Sequence, residues 1–189
     1  ISIGVVLVVF SQLIDVSFFK YFGYLEVLLG FVFYIYQLYL IFKTKVRKQK
    51  DIYYLYIVFA VISFILALIL SCFYFIYLND YILSVAGFVF LIGFLSPMIT
   101  AHLYKIVPFL VWFHRFSSLV GKQKVPMLAD MVPLKSSNFG FSFYLIGFIL
   151  SLIAFSLNSD ILFKSAVSFL FIGTLFIVKD VFYIINFKG

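Results

Sequence analysis

The stretch His102-Leu103-Tyr104-Lys105-Ile106-Val107-Pro108-Phe109-Leu110-Val111-Trp112-Phe113-His114-Arg115 gathers both histidines of the chain, its only tryptophan, one of its two arginines and a proline. Imidazoles ligate metals and relay protons, so spacing decides what these two can do together. On a continuous helix their separation of twelve residues puts them about 18 Å apart along the axis and about 120° apart around it. They could not bind one metal ion jointly. Pro108 removes a backbone donor and disfavours helix at Val107, which predicts a re-entrant or interfacial bend there. His102 has two readings. An ionisable group inside an apolar span is a functional candidate, here an axial haem ligand or a proton relay; the plainer alternative is a neutral imidazole hydrogen-bonded between helices. Trp112, His114 and Arg115 read as an interface anchor, with aromatic and cationic groups meeting lipid headgroups. Lys105 can share a helical side with His102, and it can also snorkel to the interface.

Other polar groups are thinly spread. Asp15, Glu26 and Lys164 fall toward one set of span ends, where a carboxylate paired with Lys164 would lower the cost of burying either charge; a polar transport path is the competing reading. Lys179 and Asp180 fall near the last span's opposite end and are expected to face water or headgroups. The segment from Gly121 to Leu128 mixes basic and apolar residues, which suits the membrane surface or another subunit. Several chemistries lack their motifs: the sequence has no Gly-rich phosphate loop, no His-Glu-x-x-His, no Cys-x-x-Cys and no evident nucleophile beside a base. Cys72 is the only cysteine, so no disulfide forms within the chain.

The elements that must carry these groups are membrane helices. Of 189 residues, 66% are hydrophobic and 11% charged, against roughly 25% charged in soluble domains. Mean hydropathy is +1.21. The net charge of +7 sits in short breaks between apolar runs, which points to an anionic leaflet and not to nucleic acid. A helix needs about 20 apolar residues to cross the hydrocarbon. Six segments qualify, giving an all-α polytopic bundle: 1–19, 24–42, 52–77, 81–107 with a kink near Pro97, 139–157 and 161–185. A tight break is expected from Lys20 to Gly23, with turns at Leu78-Asn79-Asp80 and Asn158-Ser159-Asp160. On this topology Lys43, Lys45, Arg47, Lys48, Lys50, Lys105, Arg115, Lys122, Lys124, Lys135, Lys179 and Lys188 share one side, and Lys20 and Lys164 the other. The positive-inside rule makes the crowded side cytoplasmic, together with both ends of the sequence. Small residues at helical spacing, Gly147, Ser151 and Ala154, and Ala67 with Ser71, mark seams where backbones can approach. The apolar run begins at Ile1 with neither a basic leader nor a cleavage site, which suggests a fragment of a longer chain and argues against a signal peptide. One domain of three helical hairpins, residues 1–189, is the simplest organisation.

Lys105, Ile106, Pro108, Phe109, Leu110 and Trp112, followed by Gly121-Lys122 and Val125-Pro126-Met127-Leu128, resemble a motif of bacterial membrane proteins related to subunit I of the haem-copper oxidases and nitric oxide reductases. The resemblance covers residues 93–130. It implies the C-terminal half of a longer inner-membrane subunit, serving in or beside respiratory or nitrogen-oxide metabolism, with other subunits or the preceding portion as partners. It also makes His102 a haem-ligand candidate. Complete sites in that family use a larger histidine set, with an adjacent pair and a His-x-His pair, so this chain alone holds no complete catalytic centre. Two other classes compete. One is a transporter or permease whose path is lined by Asp15, Glu26, His102 and Lys164; the other is a non-catalytic assembly subunit. The topology predicts that, in a Cys72→Ser background, cysteines placed in the Lys43–Asp51 and Phe116–Asn138 connections label from the same side of the membrane. Labelling from opposite sides would overturn it.

Overall fold

The computed structural model describes residues 2–14, 17–44 and 51–187. The described residues form helices and no strand, in two compact units, Ile1–Gln49 and Lys50–Gly189. Five helices are long and apolar enough to cross a membrane.

The first unit is a hairpin of α1 (Ser2–Ile14) and α2 (Ser17–Thr44). The expected break from Lys20 to Gly23 is absent, because α2 begins at Ser17 and runs through it. Gly23 serves packing instead: its carbonyl lies 2.8 Å from where a Cβ on Gly4 would sit, so the glycine on α1 lets the two backbones close together. At 13 residues, α1 is about 20 Å long, short of the roughly 30 Å hydrocarbon core.

The second unit begins with α3 (Ile52–Tyr77), capped by Asp51, whose side chain accepts from the Tyr54 amide at 3.1 Å. Both expected turns are present and share a construction. Leu78 and Asn158 adopt left-handed conformations, with φ of 49° and 51°. Asn79 and Ser159 then cap the next helices by accepting from the amides of Tyr81 and Leu162. The Tyr81 hydroxyl donates to the Phe155 carbonyl, which joins the start of one helix to the end of another.

After the first turn the chain forms one rod, Asp80–Leu119, of 40 residues. At 1.5 Å per residue it is about 60 Å long, more than the bilayer including its headgroups. It comprises α4 (Asp80–Phe88), a π-helical stretch (Val89–Leu95) and α5 (Ser96–Phe116). The Ser96 amide donates to the Leu91 carbonyl, five residues back. The next donor in that register would be residue 97, a proline, which leaves the Ile92 carbonyl without its backbone partner. Tyr144 supplies the missing bond, its hydroxyl donating to that carbonyl at 2.7 Å. The irregularity expected near Pro97 is thus a π-helical stretch bonded to a neighbouring helix. The bend expected at Pro108 does not occur. That proline is buried and α5 continues helically to Phe116, its far half tied laterally to the loop and to the last helix.

Two helices complete the unit, α6 (Leu134–Leu157) and α7 (Asp160–Ile185). They pack antiparallel along stripes of alternating three- and four-residue spacing. On α6 the buried residues include Ser137, Gly140, Tyr144, Gly147, Ser151 and Ala154; on α7 they are Ala166, Leu170, Gly173, Ile177, Asp180 and Ile184. The seam read from Gly147, Ser151 and Ala154 is therefore real, and it extends through Gly140 and Gly173. A Cβ on Gly147 would meet the Leu170 amide nitrogen at 2.7 Å, and one on Gly173 the Tyr144 nitrogen at 2.8 Å. Aromatic side chains fill the interior: Phe59 meets Phe148 edge-on, centroids 5.1 Å apart, and Gly93 admits Phe148 and Ser63 against the rod.

Gly147→Ala should destabilise the protein by about 1–3 kcal/mol, because two of the atoms it meets, the Leu170 nitrogen and the Ala166 carbonyl oxygen, are backbone and cannot rotate away. Gly87→Ala meets nothing within 4 Å and should be neutral or stabilising by up to about 1 kcal/mol. Unfolding in mixed detergent micelles, followed by circular dichroism, compares the two.

Candidate functional site

The α7 stripe carries Asp180 into the interior, where it is 0% exposed. The expectation that Asp180 faces water or headgroups is wrong, for a reason of register. It follows Gly173 by seven residues and Ile177 by three, so it points where they point, into the seam. Lys179, one residue earlier, is exposed with its ammonium 5.5 Å above the Phe176 ring. The Tyr104 hydroxyl, from α5, donates to Asp180 Oδ2 at 2.8 Å. Tyr56, from α3 and also 0% exposed, stacks on Tyr104 with centroids 6.0 Å apart and meets Phe141 of α6 edge-on at 5.0 Å. Tyr56 and Asp180 lie within electrostatic reach of one another.

Three buried side-chain oxygens lack a hydrogen-bond partner among the described residues: Tyr56 Oη, Ser136 Oγ and Asp180 Oδ1. They belong to one level of the bundle. The seam contacts of Gly140 with Gly173 and Phe176, and of Gly147 with Leu170, set a register that brings the α6 turn containing Ser136 and Ser137 opposite Asp180. Three helices thus contribute a carboxylate and two phenols to a region otherwise packed with aromatic rings, with the Ser136 turn of α6 at the same level. Oxygen donors of this kind suit protons and hard cations.

The residues singled out from sequence lie elsewhere. His102 is exposed on α5; its Nδ1 donates to the Met98 carbonyl one turn back at 2.7 Å, and its ring meets Tyr53 edge-on at 6.0 Å. Lys105 neither snorkels freely nor turns to His102. Its Nζ pairs with Asp51 Oδ2 at 2.6 Å and lies 5.1 Å above the Tyr53 ring, fastening α5 to the start of α3. Trp112 donates from Nε1 to the Pro126 carbonyl at 2.9 Å, which holds the connecting loop against α5. Arg115 donates to the Phe187 carbonyl at 2.6 Å beyond the end of α7, where a cation complements the helix dipole. His114 is exposed beside Phe113. Lys164 is exposed on α7, and Glu26 is half-buried on α2 in the other unit. Asp15 lies outside the described residues. Among the described residues no group of three His, Cys, Asp or Glu side chains is placed to hold a metal ion.

Sequence reasoning missed Asp180, Tyr104 and Tyr56 as a set. A signal was present in the three- and four-residue steps leading from Gly173 to Asp180. Tyr104→Phe, which removes the only donor among the described residues to a fully buried carboxylate, should cost about 1–3 kcal/mol. The Lys105–Asp51 pair, with side chains 53% and 33% exposed, should show a coupling energy below about 1 kcal/mol in a double-mutant cycle, because solvent screens it. Comparison with known proteins returned no match: no family model, curated protein or solved structure is detectably similar to the chain.

Proposed function

We propose that this multi-pass protein is an ion-coupled component of a bacterial inner membrane, with its basic loops cytoplasmic and Asp180 as the working group. The supporting observation is a carboxylate with no exposure inside a four-helix bundle, one of its oxygens unbonded among the described residues. A charge in such a place is costly, and proteins that keep one within the membrane use it to move or sense ions. This moves the transporter reading away from His102 and Lys164, both exposed, and onto the α3, α5, α6 and α7 interior.

A second reading places the chain beside haem-copper oxidase subunit I in respiratory or nitrogen-oxide metabolism, without a complete metal centre of its own. One contact favours it: the Trp112 to Pro126 hydrogen bond unites the two stretches that carry the resemblance. With His102 Nδ1 occupied by Met98, Nε2 is the nitrogen left to meet a ligand, and the ring's exposure would seat any haem against a partner chain.

Reconstitution into liposomes tests the first reading. An imposed potential should drive proton or sodium flux, reported by an internal dye, and Asp180→Asn should lower it by about tenfold or more, whereas Lys164→Ala should leave it unchanged. Flux unaltered by Asp180→Asn would remove the reading. A haem absorption band in the purified protein that weakens in His102→Ala would favour the second.

A further inference from the structure

We infer that Asp180 Oδ1 and Tyr56 Oη form a binding site for one small monovalent cation, either sodium or a proton. The inference rests on the ion-coupled reading and names the ion class it requires. Charge balance carries the first step. Every cationic side chain near this level among the described residues is engaged or turned outward: Lys105 pairs with Asp51, Arg115 bonds the Phe187 carbonyl, Lys179 lies over Phe176, and Lys135 is exposed. Among the described residues Asp180 therefore has a hydrogen bond but no countercharge. An unpaired carboxylate sealed among aromatic rings carries a penalty that one phenol donor offsets only in part. A single positive charge removes that penalty; a divalent ion would leave an excess charge buried.

Geometry carries the second step. The Tyr104 proton is committed to Oδ2, so this phenol positions the carboxylate and leaves Oδ1 as the binding oxygen. Tyr56 is held by the ring of Tyr104 on one side and Phe141 on another, which keeps its hydroxyl at this level although no described residue bonds it. A buried hydroxyl without a partner is costly unless an ion, proton or water completes it. Two incomplete oxygens on two helices, joined through the Tyr104 ring and its bond to the carboxylate, match the needs of one hard, singly charged ligand.

The test is an equilibrium one, on the full chain in detergent without any gradient. Sodium chloride replaces choline chloride at constant ionic strength while the thermal midpoint is followed, and infrared spectra in H2O and D2O report a carboxylic-acid stretch. If the ion is sodium, the midpoint rises saturably with sodium, half-saturation moves about tenfold higher in Tyr56→Phe, and the response vanishes in Asp180→Asn. If it is a proton, sodium has no effect, and a carboxylic-acid band is present that shifts in D2O, is altered by Tyr56→Phe and is absent in Asp180→Asn. Should Asp180→Asn fail to fold, Tyr56→Phe retains both the carboxylate and its Tyr104 bond and gives the same comparison. Neither response, or a response that Tyr56→Phe leaves untouched, overturns the inference. Binding that persists where liposomes show no flux leaves the site standing and removes only the translocation reading.

Discussion

A backbone carbonyl that loses its donor inside lipid has no water to turn to, so another protein group must replace the bond or the helix yields. Pro97 poses that problem in the middle of the long rod. The wider π turn carries the chain into the proline, and the carbonyl at Ile92 is taken by Tyr144 from α6. Tyr144 can reach it only because α6 lies close to the rod there, with Phe148 and Gly93 in contact. The irregular turn and the packing around it are mutually dependent.

The α6–α7 hairpin supplies the rest of that framework. Its seam is narrow wherever glycine stands, at Gly140, Gly147 and Gly173, and without a hydrophobic driving force between lipid-embedded helices such close approach is a main source of association. The same seam fixes the height and rotation of α7, and so delivers Asp180 to Tyr104. Farther along the rod, Trp112 and Arg115 reach the loop and the end of α7, which secures the part of α5 that follows Pro108.

The charged contacts divide by environment. Lys105 and Asp51 meet at an exposed edge, where screening makes their attraction weak and their value chiefly one of alignment. Asp180 sits where screening is absent and every unmatched polar atom is costly. The polar cluster is consequently the costliest part of the bundle to bury.

Hydropathy, turn residues and the distribution of lysine and arginine were enough to read a polytopic helical membrane protein, because a lipid solvent imposes length and apolarity on each segment directly. The turns at Leu78–Asp80 and Asn158–Asp160 were legible for the same local reason, and glycine and serine spacing disclosed the α6 seam. Local rules misjudged Gly23 and Pro108: a glycine inside a helix and a proline within α5 are decided by what packs against them. Local position alone makes Asp180 read as a solvated residue, since it lies only five positions before Ile185, the last residue of α7. On an all-apolar helix the inward face is marked in sequence only by small-residue steps such as the one that leads from Gly173 to Asp180, and only the packed arrangement of α3, α5, α6 and α7 decided that this carboxylate, and not His102, occupies the interior.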